Sequence, residues 1–299
     1  MVLSPEATSE TTDNPLQVPS ETEAVESMPS DIEITYYTDP LCSWSWAIEP
    51  QWRRLRYEFG DRLQWRYAMG GLIPDWQKFS DPLNDICRPV QMGPLWVQIR
   101  DITGMPVREG IWVEDPPNSS YPACLAVKAA QQQGNTVAEV YLRRLREAVM
   151  VEQRNIARDE VLWELAEELS GAIDLGQFQE DLDSAETVEA FREDIKDMRY
   201  RGSGRFPALI LRPRNGRAVL LVGFRPYKVL RDAIAHISPE TEPQRSATDA
   251  IAYTTYWGRI TAPELAEALN LQTSDARQKL DDAVQEGHLA RSGEFYRER

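Results

Sequence analysis

Cysteine, histidine and long apolar runs are scarce in this 299-residue chain. The three cysteines, Cys42, Cys87 and Cys124, are far apart in sequence, which argues against a disulfide framework. His236 and His288 are the two histidines, so no close Cys/His cluster is available for a metal and no metal site is expected. A Ser/His/Asp mechanism lacks a suitable histidine for the same reason. No stretch approaches the roughly 20 apolar residues that span a bilayer, and no membrane association is expected. The N-terminus shows no basic segment followed by an apolar run, so no signal peptide is expected and the chain should be cytoplasmic. No glycine-rich phosphate loop is present: Gly202-x-Gly204 is isolated and precedes a strand, not a helix. Positive charge is also short. Lys and Arg number 33 against 48 Asp and Glu, and a formal net charge of -15 opposes non-specific contact with nucleic acid or anionic lipid.

What is present divides along the chain. Residues 1–30 are rich in Ser, Thr, Glu and Pro, carry no Lys or Arg, and read as a disordered acidic tail. Residues 31–78 read strand, helix, strand. Asp31 to Tyr37 is rich in β-branched and aromatic residues; Ala47 to Phe59 has apolar residues at helical spacing and stops at Gly60; Leu63 to Ala68 alternates. Two parallel strands joined by a helix make a right-handed βαβ unit. Residues 79–202 are helical, with helices expected over 92–102, 121–133, 137–153, 159–169 and 185–200 and a short one near 174–182. Residues 203–238 return to strands, with a hairpin turn at Pro213-Arg214-Asn215-Gly216 and a closing helix over 226–237. A Pro-containing linker follows over 238–245. Residues 246–299 read helix, helix, turn, helix, hairpin. Thr261 with Glu264 forms a capping box there.

The stretch Asp39-Pro40-Leu41-Cys42-Ser43-Trp44-Ser45-Trp46 lies where the first strand passes to a helix. A helix N-terminus offers unpaired N–H groups and the positive end of the dipole, which favour thiolate at Cys42. A pKa below the free value of about 8.5 is expected on that ground. Ser45 follows three residues later on the same helical face. Its hydroxyl can donate to a Cys42 thiolate but cannot resolve a mixed disulfide as a second cysteine would. Trp44 is a candidate for exposure in a substrate groove and Trp46 for the core. Cys87, near a loop, and Cys124, in an apolar helix start, are poor candidates for a remote resolving thiol.

Strand, Cys-x-x-Ser and helix, with the motif above, resemble the active-site corner of the DsbA-like branch of the thioredoxin fold. Relatives of that branch include kappa-class glutathione transferases, hydroxychromene-carboxylate isomerases and cytosolic ClpXP adaptors. The resemblance covers about residues 31–237 and implies an α/β thioredoxin fold with a helical insertion. It also implies that Phe206-Pro207 holds the position of the fold's cis-proline. The C-terminal unit resembles a winged-helix domain, but its third helix carries Asp275, Asp281, Asp282 and Glu286 against Arg277 and Lys279, so no specific nucleic-acid binding is expected.

The resemblance makes Cys42 and Ser45 the candidate catalytic residues and Ser43, Trp44, Phe206 and Pro207 the candidate substrate contacts. The leading expectation is a thiol–disulfide oxidoreductase with one nucleophilic cysteine. Its partners would be protein or low-molecular-weight thiols and disulfides, with glutathione as a co-substrate and no bound cofactor. A non-catalytic adaptor is the alternative. A glutathione-dependent transferase or isomerase is a third reading, lowered by Cys42 standing where those enzymes typically carry Ser.

Overall fold

The structure is a computed structural model that describes residues 30–202 and 204–299. The tail read as disordered over 1–30 lies outside the described residues, Ser30 excepted.

β1 (Ile32–Thr38) is the hub of a four-stranded sheet of order β2-β1-β3-β4. It runs parallel to β2 (Leu63–Met69) and antiparallel to β3 (Ala208–Pro213), with Tyr36 opposite both Tyr67 and Leu209. β4 (Val219–Val222) closes the edge, antiparallel to β3. Side chains alternate across a strand. Ile32, Ile34 and Tyr36 therefore enter the main core, while Tyr37 points to the other face.

The helix expected over 47–59 begins earlier and is broken. α1 (Ser43–Ala47) and α2 (Glu49–Phe59) meet at Ile48, and Pro50 occupies the first turn of α2. Proline has no N–H to continue the α1 ladder but suits a helix start, so the break falls there. The insertion comprises α3 (Met92–Thr103), α4 (Ile111–Glu114), α5 (Tyr121–Gln132), α6 (Asn135–Met150), α7 (Asp159–Glu167), α8 (Leu175–Leu182) and α9 (Ala185–Tyr200). α10 (Tyr227–Ile237) completes the α/β unit and packs on α2. The loop between β3 and β4 is longer than a tight Asn-Gly hairpin. Leu211 and Val219 are the last paired residues, because Pro213 has no N–H to extend the ladder towards β4.

The C-terminal part has its own core of Tyr253, Ile260, Leu265, Leu280 and Tyr296. It consists of α11 (Ala250–Trp257), β5 (Arg259–Thr261), α12 (Ala262–Leu269), α13 (Thr273–Gln285), β6 (Leu289–Ser292) and β7 (Phe295–Glu298), with sheet order β5-β7-β6. The linker runs along the end of α2: Gln244 N–H donates to the Glu58 carbonyl at 2.8 Å and Arg245 Nε to the Tyr57 carbonyl at 2.7 Å.

The capping box does more than start α12. Glu264 Oε2 accepts the Thr261 N–H at 2.7 Å. The same carboxylate takes both arms of Arg143 from α6, at 2.9 and 3.1 Å, and Arg53 from α2 at 3.0 Å. Glu264 has no exposed surface. Burial alone would raise its pKa; Arg143 and Arg53 outweigh that and hold it below the usual carboxylate range.

Removing one partner of a buried pair strands the other. Glu264→Gln should cost roughly 3–5 kcal/mol in urea unfolding, since Arg143 and Arg53 lose their anion. The pH dependence has a fixed sign. A depressed folded pKa stabilises above the unfolded value of about 4.3, and that contribution is lost as pH falls through the folded value. The acid limb of the wild-type stability curve should therefore be steeper than that of the Gln variant; parallel limbs would contradict the assignment.

Candidate functional site

Cys42 caps α1 as the residue just before its first turn, and its carbonyl accepts the Ser45 and Trp46 N–H groups at 3.0 and 3.1 Å. The side chain is 6% exposed. It lies in a small cluster with Tyr37, Ala68, Met198, Phe206, Ala208 and Ile210, on the sheet face opposite the main core. Phe206-Pro207 is a cis peptide at the start of β3, and both residues are buried. Phe206 lies against Gly70, where an added Cβ would fall 1.8 Å from its ring Cζ. Trp44 is half-buried at the edge of the cluster, its ring centroid 6.0 Å from that of Phe224. Of the six candidate residues, Cys42, Trp44 and Phe206 meet in this cluster, with Pro207 adjacent in the chain. Ser43 is buried, with 2% of its surface exposed. Ser45 is fully buried; its hydroxyl lies near enough to the Cys42 sulfur to favour the thiolate, outside regular hydrogen-bond geometry, and makes no regular hydrogen bond to any other protein group.

The expected low pKa of Cys42 is reversed. Burial pushes the thiol up from its ordinary value. The Ser45 hydroxyl and N–H pull it down, Asp39 adds a push upward, and Arg146 pulls downward. α1 has only five residues. A dipole contribution of about 0.3–1 kcal/mol cannot offset removal of a thiolate from water, which costs several times more.

Two residues outside the six candidates shape this site. Asp39 is buried, and burial raises its pKa. Its carboxylate accepts the Leu41 and Leu72 N–H groups at 2.8 and 2.6 Å, the Ser120 hydroxyl at 2.8 Å and the Cys124 thiol at 3.3 Å. The sequence offered a signal for Asp39, since an acid before proline at a strand end caps turns. Arg146, on α6, pairs with Glu49 and donates to the Thr38 hydroxyl. It lies 104 residues beyond Cys42, and nothing local in the sequence marks it. Neither other cysteine joins the Cys42 cluster. Cys124 is buried against Asp39, and Cys87 is exposed beside Gln91. Among the described residues no group of three or more His, Cys, Asp or Glu side chains is arranged to hold a metal ion, and no helix is long and apolar enough to cross a membrane.

Alkylation of Cys42 should be slow at neutral pH and accelerate only above the ordinary thiol range, and Ser45→Ala should slow it further. A rate midpoint below about 8.5 would contradict the dominance of burial. Gly70→Ala should force Phe206 aside, cost about 1–3 kcal/mol by overpacking and speed Cys42 alkylation. Unchanged reactivity in a folded Ala variant would show that Phe206 does not cover the thiol.

With this geometry established, comparison with known proteins is informative. The ClpXP adapter protein SpxH of Halalkalibacterium halodurans is 27% identical over 259 residues, 85% of this chain and 83% of that protein. SpxH of Shouchella clausii is 26% identical over 86% of this chain and 85% of its own length. The solved structure of the cytosolic disulfide reductase DsbM from Pseudomonas aeruginosa aligns with a TM-score of 0.50 and 26% identity, covering 63% of this chain and 88% of that one. The family model described as Thioredoxin matches residues 36–232, which run from the end of β1 to the middle of α10 and include Cys42 and the cis-proline. The chain therefore belongs to the thioredoxin family.

Proposed function

We propose that the chain is a cytoplasmic adaptor that binds a client protein on the Cys42 face and presents it to a ClpXP-type protease. One observation carries the reading: Cys42 is buried, burial raises its pKa, and Ser45 stands where a resolving thiol would be needed. A thiol that is hard to ionise and has no cysteine partner in its cluster suits contact better than turnover. The SpxH relatives, which match over more than four-fifths of both chains, support the same reading. We read residues 246–299 as a winged-helix-like module that serves docking and not DNA recognition. The order of its elements, its packing on α2 and the acidic face of α13 support this.

A second reading has its own support. Ser45 favours the Cys42 thiolate, the cis-proline follows the Phe206 that covers Cys42, and the likeness extends to DsbM. In that reading the Cys42 thiolate attacks a protein or glutathione disulfide. One S–S bond forms as the other breaks, and the departing thiolate takes up a proton. An external thiol, glutathione being the leading candidate, then attacks the mixed disulfide and returns Cys42 to its reduced state.

Purified ClpXP and a cell extract separate the two. Adding the chain should accelerate degradation of a small set of proteins, and Cys42→Ser should retain most of that effect. Reduction of a glutathione mixed disulfide should remain close to the uncatalysed rate. Catalysed reduction that vanishes in Cys42→Ser, with no protein degraded faster, would favour the oxidoreductase and overturn the adaptor.

A further inference from the structure

One stretch of this acidic chain is strongly basic. Met198 to Arg231 holds nine Lys and Arg residues and no Asp or Glu. Three of the nine, Arg212, Arg214 and Arg217, gather where β3 turns back into β4. All three are exposed, and none has an ion-pair partner among the described residues. Glu33 stands opposite Arg212 in the β1–β3 register and makes no ion pair with it.

The strand beside these cations is open. β4 is an edge of the sheet and reads Val219-Leu220-Leu221-Val222, without charge or proline. One row of its N–H and C=O groups therefore faces no neighbouring strand. Opposed residues of an antiparallel pair share a face, so Leu220 and Val222 stand with Ile210 and Ala208 on the Cys42 side of the sheet. α9, which brings Met198 to that side, packs on β2 at the opposite edge. Leu220 is left 43% exposed. Natural sheets usually blunt or cover an apolar edge of this kind.

The chain itself supplies a cover. Ser30 lies at the same end of the sheet as the three arginines: its carbonyl accepts Arg214 Nε at 3.1 Å, and its hydroxyl donates to Gln64 at 3.4 Å. Residues 1–29, which lead into Ser30, hold six acids and no Lys or Arg. Glu21, Glu23 and Glu26 fall in a stretch, 20–28, that contains no proline. Two strand spacings, about 10 Å, separate β1 from β4, a distance that about three extended residues cover.

We propose that residues 21–26 dock along the β4 edge of their own molecule, antiparallel to it, with their carboxylates against Arg212, Arg214 and Arg217. The direction follows from the topology. β4 starts at the end of the sheet where β1 starts, so a segment leading into Ser30 approaches that end as β4 leaves it. The contact is intramolecular, and an effective concentration of about a millimolar populates even a weak one. Val222 belongs to the Cys42 cluster, so the docked segment narrows the approach to Cys42 from the β4 side. An acidic partner reaching that side has to displace it. The inference holds whichever of the two functions the Cys42 face performs.

Hydrogen exchange on the full chain reads the contact. At low ionic strength, peptides covering 219–222 should exchange about tenfold more slowly in the wild type than in Glu21→Gln/Glu23→Gln/Glu26→Gln. None of these glutamates belongs to the cores described above, so the variant keeps its fold. The difference should shrink at about 0.5 M NaCl, which screens exposed charges. Arg212→Glu/Arg217→Glu should lose the protection, and combining it with Glu21→Lys/Glu23→Lys/Glu26→Lys should restore it. Equal exchange in the wild type and the Gln variant overturns the proposal, as does a charge-swapped pair that recovers no protection. Protection that rises with protein concentration assigns the contact to the tail of a second copy and overturns it equally.

Discussion

Glu264 is a carboxylate without access to water that holds three parts of the chain at once. It closes the capping box of α12, takes both arms of Arg143 on α6, and takes Arg53 on α2. Arg143 and Arg53 also face Glu49, and Glu49 pairs with Arg146. Arg146 then reaches Thr38 at the end of the central strand. None of these charges can be removed from water alone at tolerable cost, so each fixes the position of the next. The C-terminal module therefore sits on the thioredoxin unit through a chain of charges that ends beneath the motif carrying Cys42.

That dependence explains the character of the site. The first turn of α1 offers the thiol a favourable end of a short helix, and Ser45 adds a hydroxyl. Against them stand Phe206, Tyr37, Met198 and Ala208, which exclude water from Cys42, and the buried Asp39. Desolvation is the larger effect, and the result is a thiol that resists ionisation. The same cover presents Trp44 and Phe224 as a partly exposed aromatic edge beside the motif. A face of this kind suits contact with a protein surface, which rewards rigid aromatic groups.

Residues 31–69 show how far local chemistry reaches. Asp31 to Tyr37 and Leu63 to Ala68 announce strands by residue type, and Thr261 with Glu264 announces a helix start; all three are realised, the strands within one residue at each end. Ala185–Tyr200 was legible to the residue. Pro50 broke a helix that periodicity ran through, since the apolar spacing of Trp52, Leu55 and Phe59 carries no record of where α1 ends.

By itself the sequence determined most of the strand and helix order, though not α4 or β5, together with the placement of Cys42 at a strand-to-helix junction and of a serine, Ser45, three residues beyond it. These follow from residue type and short-range spacing, which act within a few turns of chain. Only the tertiary structure decided the ionisation of Cys42, because that depends on which side chains cover it, and Phe206 and Met198 arrive from more than 150 residues away. It also decided that Glu264, a capping residue by its local pattern, is the docking anion for Arg143 and Arg53. A carboxylate shows its local hydrogen bond in the sequence; the charge that compensates its burial appears only when distant helices meet.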